Sequence, residues 1–92
     1  MLTGSLEVLV IGEDRSPLPG ATVTMSGTSR EVRQTDASGR CLFAQLAPGG
    51  WSLECALDGY STLEFPGAMI RVGQIEHYEL TLSLAIIDDW AG

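Results

Sequence analysis

The chain has 92 residues, 45% of them hydrophobic, and twelve acidic side chains against five arginines give it a formal net charge of −7. A domain of this size builds one core, and a chain without lysine lacks the basic surface on which nucleic-acid binding depends. No stretch approaches the roughly 18 apolar residues of a membrane-spanning helix, and the first residues lack the features of a signal peptide. We therefore expect no nucleic-acid binding and no membrane insertion. The chain fits either a short intracellular protein or a domain of a longer exported one, which would be extracytoplasmic.

Seven short runs alternate apolar and polar residues along the chain, and Gly, Pro, Asp and Ser separate them. Turns recur about every ten residues, a spacing typical of sandwiches. The pattern predicts an all-β fold, a seven-stranded antiparallel two-sheet sandwich. The domain is expected to occupy residues 1–85, and residues 86–92 form a tail or linker. The predicted strands are 5–12, 21–27, 30–35, 40–46, 51–57, 61–65 and 76–85.

Strand parity predicts which side chains form the core, because residues two apart on a strand share a face. On the last strand this rule turns His77 and Glu79 outward, together with Thr81 and Ser83. The predicted inward set is Ala21, Val23, Met25, Cys41, Phe43, Trp51, Leu53, Cys55, Tyr78, Leu80, Leu82 and Leu84.

The segments PLPGATVTMSG, TDASGR, LAPGGW and SLECALDGY, followed by a run of alternating leucines, occur in a characteristic order. In this order they resemble the carboxypeptidase regulatory-like domain, a transthyretin-like β-sandwich, from about Leu6 to Leu84. The resemblance implies a non-catalytic module of the kind found in secreted peptidases, outer-membrane receptors, adhesins and phage-like injection spikes. Three features depart from it: Arg15 stands where a turn glycine is usual, Cys41 stands where an aromatic is usual, and the tail after Leu84 has no counterpart.

Two glycine-containing loops have the composition of structural turns. In the first, the Asp36 side chain can accept a hydrogen bond from the amide two residues on, and Gly39 can take a positive φ. Calcium is a weaker alternative there, because one carboxylate with carbonyl oxygens makes a poor cage. In the second, Pro48 fixes one φ and Gly49 tolerates the left-handed region, which predicts a hairpin connection between the fourth and fifth strands.

That hairpin would place Cys41 directly across from Cys55, with Phe43 opposite Leu53. The spacing of such a pair is close to, but above, that of a disulfide. Buried free thiols are the favoured interpretation, and a disulfide is the alternative.

Catalytic versions of the wider fold require residues that this chain lacks. The hydroxyisourate hydrolase relies on several histidines and a C-terminal Tyr-Arg-Gly-Ser, whereas His77 is the one histidine here. Intradiol dioxygenases hold iron with two tyrosines and two histidines. Self-crosslinking adhesin repeats need a lysine. Two cysteines are also too few for structural zinc. We therefore expect no enzymatic activity and no cofactor.

These observations favour a non-catalytic accessory or interaction module that stabilises, spaces or docks a larger protein or assembly. Its expected partner is another protein or the rest of its parent chain, with self-association through an edge strand and the tail as a further option. The alternative is a carbohydrate-binding module, whose exposed aromatic residues would be Tyr60, Phe65 and Trp90.

The tail offers a candidate partner contact. Ile86 extends the inward parity of the last strand, but the residues that follow have no place in the core, and exposed apolar groups beside a sheet edge invite a partner. A frayed linker is the alternative, and the loops at Asp14, Asp36 and Asp58 are then the next surface to consider. The candidate contact residues are Ile87, Asp88, Asp89 and Trp90.

Overall fold

The computed structural model describes residues 2–85, which form two packed sheets and contain no helix. One sheet has the order β4-β1-β7 and the other has the order β3-β2-β5-β6, so the predicted all-β two-sheet sandwich is confirmed. Within residues 2–85 there is accordingly no helix that is long and apolar enough to cross a membrane. The strands are β1 Gly4–Gly12, β2 Thr22–Ser26, β3 Arg30–Gln34, β4 Arg40–Leu46, β5 Gly49–Ala56, β6 Leu63–Ile70 and β7 Ile75–Leu82.

One strand pair departs from the antiparallel arrangement: β1 and β7 run parallel, in register from Ser5 opposite Ile75 to Gly12 opposite Leu82. Every other pair is antiparallel. The cause is the path of the chain, because each strand reverses the direction of the one before it. Six reversals separate β1 from β7, and they therefore point the same way.

The core follows the predicted parity closely. Ten of the twelve side chains predicted to face inward are buried, and Leu6, Val8 and Val10 of β1 join them from the centre of their sheet. Tyr78 is half-buried because β7 lies at the edge of its sheet, where it packs against the core. Leu84 is the exception: it is 61% exposed. β7 ends at Leu82, and the chain then leaves the sheet.

The predicted hairpin between the fourth and fifth strands is wrong. β4 and β5 belong to different sheets, so residues 47–48 cross from one layer of the sandwich to the other. Cys41 lies opposite Val8, and Cys55 lies opposite Val23. A short glycine-rich connection with Gly49 at φ 125° suits a crossing between layers as well as a hairpin. Composition alone could not distinguish the two.

The sixth strand is longer than predicted. The pair Pro66 and Gly67 indicates a break in the sequence, yet β6 continues to Ile70. The register shifts there, with three steps along β6 against two along β5, so the strand passes the proline through a bulge. Proline is tolerated at this place because β6 is an edge strand.

Candidate functional site

Four connecting segments meet at one end of the sandwich, because the alternating strand directions bring their ends together. They are the β1–β2 loop (13–21), the β3–β4 turn (35–39), the β5–β6 loop (57–62) and residues 83–85 after β7. We call this surface the loop end. Hydrogen bonds join its segments, including Gly20 N to Thr35 O (3.0 Å) and Ser61 N to Ser83 O (2.8 Å).

The β1–β2 loop is organised around Asp14. The Ser16 backbone amide donates to Asp14 Oδ1 at 3.0 Å, and the Ser16 hydroxyl donates to Oδ2 at 3.0 Å. These bonds, the amide first, hold the pKa of the Asp14 carboxyl below its ordinary value. Between them Arg15 adopts a φ of 71°. The arginine therefore takes the left-handed conformation for which a glycine is usual, and the turn keeps its form at some backbone strain.

The β3–β4 turn is organised in the same way around Asp36. Its Oδ1 accepts from the amides of Arg40 (3.1 Å) and Ser38 (2.8 Å), and these two bonds, Arg40 first, lower the pKa of the carboxyl. Gly39 has a φ of 76°. A Cβ at Gly39 would lie only 2.7 Å from the Val10 carbonyl oxygen. Only glycine fits this close approach of the turn to β1.

Thr35 ties these two segments together, and sequence reasoning missed its role. Its hydroxyl donates to Leu18 O at 2.6 Å and accepts from Ala21 N at 2.9 Å. Thr35 is 6% exposed, and it is the one buried polar residue of the described chain. Thr35 directly precedes the Asp36 turn, so its sequence context suggests a solvent-exposed polar loop. Its position directly after β3, beside a turn that packs closely against β1, is the feature of the sequence that could have indicated this role.

The chain after β7 is held at the loop end. The Ala85 amide donates to Gly59 O at 2.9 Å, and Leu84 forms a bridge with Tyr60. The Ser83 hydroxyl donates to Glu13 Oε2 at 3.2 Å. The predicted partner-contact residues 87–90 lie outside the described residues. Ala85, the last described residue, is held by these contacts.

Two concavities flank Tyr60 at the loop end. The larger, about 470 Å³, is lined by polar and small groups that include Thr22, Gln34 and Asp58. The smaller, about 210 Å³, lies between Asp14 and Leu84. Carboxylates on both rims make this surface acidic, which suits a partner with basic groups.

The outer face of the three-stranded sheet carries a charged row that sequence reasoning also missed. His77 Nδ1 lies 2.9 Å from Glu7 Oε1, and Arg40 Nη1 lies 3.8 Å from the same oxygen. Glu7 and His77 are neighbours because β1 and β7 pair in parallel. The side chains are substantially exposed, so each contact stabilises the fold by at most about 1 kcal/mol.

The aromatic residues of the carbohydrate hypothesis do not form a platform in the described chain. Tyr60 is half-buried and packs against the core. Phe65 is 38% exposed and meets Tyr78 edge to face, with ring centroids 5.2 Å apart. Trp90 lies outside the described residues. Both described rings therefore help to close the sandwich.

The two thiols lie in the core, and both are free. Burial raises the pKa of Cys41 and of Cys55 to about 11, so both are neutral near pH 7. Residues 2–85 do not bring three or more His, Cys, Asp or Glu side chains together as metal ligands.

The sandwich and its loop end define a class of small transthyretin-like or immunoglobulin-like modules. The carboxypeptidase regulatory-like domain family matches residues 5–83. The chain therefore belongs to that family. A search of curated proteins finds no similar sequence.

Solved structures share the fold at low sequence identity. The Bacillus anthracis TIE protein is 22% identical with a TM-score of 0.77, over 91% of this chain and 17% of that one. A minor pilin of Streptococcus agalactiae is 16% identical with a TM-score of 0.73, over 96% and 47%. Catechol 1,2-dioxygenase from Acinetobacter is 13% identical with a TM-score of 0.72, over 92% and 53%. The chain thus spans less than two thirds of each protein, and the likeness shows the fold.

Proposed function

We propose that this chain is a non-catalytic interaction module of a larger protein or assembly, and that its partner binds at the loop end. One observation carries the proposal: hydrogen bonds at Ser83 and Ala85 hold the last described residues at the loop end, beside exposed Leu84. Family membership supports a module, and a pilin and the TIE protein each carry this fold as part of a longer chain. A partner can dock at this end without first ordering its loops, because hydrogen bonds already hold them together.

The chemistry of that surface specifies the partner. The carboxylates of Glu13, Asp14 and Asp58 rim the loop end, and the sequence after Ala85 contains Asp88 and Asp89. Apolar tail residues flank this acidic pair in the sequence. The surface fits a protein that offers basic side chains around an apolar pocket.

The proposal is tested by replacing residues 86–92 with a Gly-Ser segment of equal length. The tagged chain and the variant are each used to capture proteins from an extract of the source cells, and the captured proteins are identified by mass spectrometry. We expect unchanged circular dichroism and loss of the specific partner. Undiminished capture of the same partner would refute the role of the tail and direct attention to the loops at Asp14, Asp36 and Asp58.

A further inference from the structure

Three of the four sheet edges in the described chain carry features that discourage the addition of another strand. β3 is only five residues long and presents charged side chains, with Arg33 paired to Glu31 at 3.6 Å. β4 bulges near its end, where Gln45 has a φ of 60°. β6 contains Pro66 and a bulge, and the Tyr78 hydroxyl accepts the Met69 amide at 3.1 Å. Short length, charge, proline and bulges are the usual protections of an edge.

β7 carries Glu76 and Glu79 but lacks the short length, the proline and the bulges of the other edges, and no described residue pairs with its outer backbone groups between Ile75 and Thr81. Its eight residues, IEHYELTL, include no proline, glycine, lysine or arginine, and its register with β1 is unbroken. The Ser5 amide donates to Gln74 O at 3.0 Å, and this bond shows which residues of β7 direct their backbone groups toward β1. Even-numbered residues of β7 therefore direct their backbone groups to β1, and the odd-numbered residues direct theirs away from it. The free edge comprises the amides and carbonyls of Ile75, His77, Glu79 and Thr81.

We propose that this edge binds β7 of a second copy of the chain in an antiparallel pair, which joins two three-stranded sheets into one of six strands. This inference does not depend on the proposed function. A two-fold axis beside Tyr78 puts odd-numbered residues opposite odd-numbered residues, as the free backbone groups require. In that register His77 faces Glu79 of the second copy, and by symmetry the pair occurs twice.

Pairing of the His77 imidazole with the Glu79 carboxylate selects this register over its neighbours, because a ring N–H donates a hydrogen bond to a carboxylate. A shift of one residue on each strand toward the N-terminus puts His77 opposite His77, and a shift the other way puts Glu79 opposite Glu79. A hydrogen bond from an imidazole N–H to a carboxylate stabilises a cross-strand pair, whereas two carboxylates directly opposite each other destabilise it. His77 is available for the contact, because its side chain is 68% exposed and Nδ1 alone faces Glu7. In the same register Ile75, which is 59% exposed, faces Thr81 of the second copy and loses exposed apolar surface.

A charge exchange tests the register directly. In His77→Glu, two carboxylates face each other at both symmetric positions, and in Glu79→Lys the carboxylate that accepts from His77 is replaced by a lysine at both. Each variant alone should associate roughly tenfold more weakly than the natural chain, because two symmetric cross-strand pairs lose a favourable contact. An equimolar mixture should recover association, because the introduced glutamate then faces the introduced lysine. Sedimentation velocity at roughly 150 mM salt measures this, where net charge beyond about 8 Å is screened.

Matched controls make each outcome decisive. Glu64→Lys makes the same charge change as Glu79→Lys, but on an exposed face of the other sheet, and it should leave association unchanged. Circular dichroism verifies that each variant is folded. A natural chain that stays monomeric to roughly 1 mM, or a mixture no more associated than its components, would overturn the proposal. Replacement of residues 86–92 should leave the dimer intact. Loss of the dimer on that replacement would assign self-association to the tail and refute the role of β7.

Discussion

The buried hydroxyl of Thr35 gives a sharp test of how the loop end is stabilised. Thr35→Val keeps the shape of the side chain but removes the group that donates to Leu18 O and accepts from Ala21 N. Ala21 is fully buried and Leu18 is 8% exposed, so water does not readily replace the lost partner. An unsatisfied buried polar group costs about 1–3 kcal/mol. We therefore expect the free energy of unfolding to fall by roughly 2–3 kcal/mol, with a decrease in melting temperature of roughly 10 °C or more.

Urea denaturation followed by tryptophan fluorescence measures the change, and two variants serve as controls. Thr62→Val makes the same chemical change at an exposed position and should stay within about 0.5 kcal/mol of the natural chain. Thr35→Ser retains the hydroxyl and should cost less than Thr35→Val. A destabilising Thr35→Ser together with a neutral Thr35→Val would show that the methyl group, and not the hydroxyl, holds the two segments together.

Three further predictions concern other parts of the fold. Trp51→Ala should destabilise by about 3–5 kcal/mol because the ring is 3% exposed, whereas His77→Ala should cost at most about 1 kcal/mol; equal shifts in melting temperature would contradict the strand parity. Arg15→Gly should stabilise by roughly 0.5–1 kcal/mol by relieving the positive φ, and a loss of stability would contradict the strain. Because burial raises the pKa of Cys41 and Cys55 from 9.0 to about 11, unfolded thiols ionise first, so stability should fall between pH 9 and about 11. Alanine at both positions should flatten that fall, and recovery of a linked peptide without reductant would refute the free thiols.

Local pattern was sufficient to predict which side chains of most strands face the core. Alternation placed Val23, Met25, Phe43, Trp51 and Leu53 in the core, and all five are buried. The rule succeeds because the direction of a side chain on a strand depends only on its immediate neighbours. It fails at the end of the last strand, where Leu84 leaves the sheet to meet the β5–β6 loop.

Strand pairing was beyond the reach of the same reasoning, because partners are set by contacts far apart in sequence. The connection at Pro48 and Gly49 has the composition of a hairpin but crosses between sheets. The hydrogen bonds that Asp36 and Asp14 accept each lie within one turn, so the residues of that turn are enough to explain them. The convergence of those loops with Thr35 and Ser83 required the whole topology.

The parallel pairing of β1 with β7 bears on both proposed binding surfaces, the loop end and the free edge of β7. The chain reverses direction after every strand, so the first and the seventh strands run the same way and both end at the loop end. That direction delivers Ala85 to the loop end, beside the β5–β6 loop. β7 is also the outer strand of its sheet, and residues 2–85 contain no eighth strand to cover it. The two proposed surfaces use different residues: the loop end includes residues 83–85, and the free edge of β7 lies between Ile75 and Thr81. Simultaneous binding would then double the number of partner sites in each assembly, and the apparent affinity for a partner with repeated sites would rise through effective concentration without any new contact.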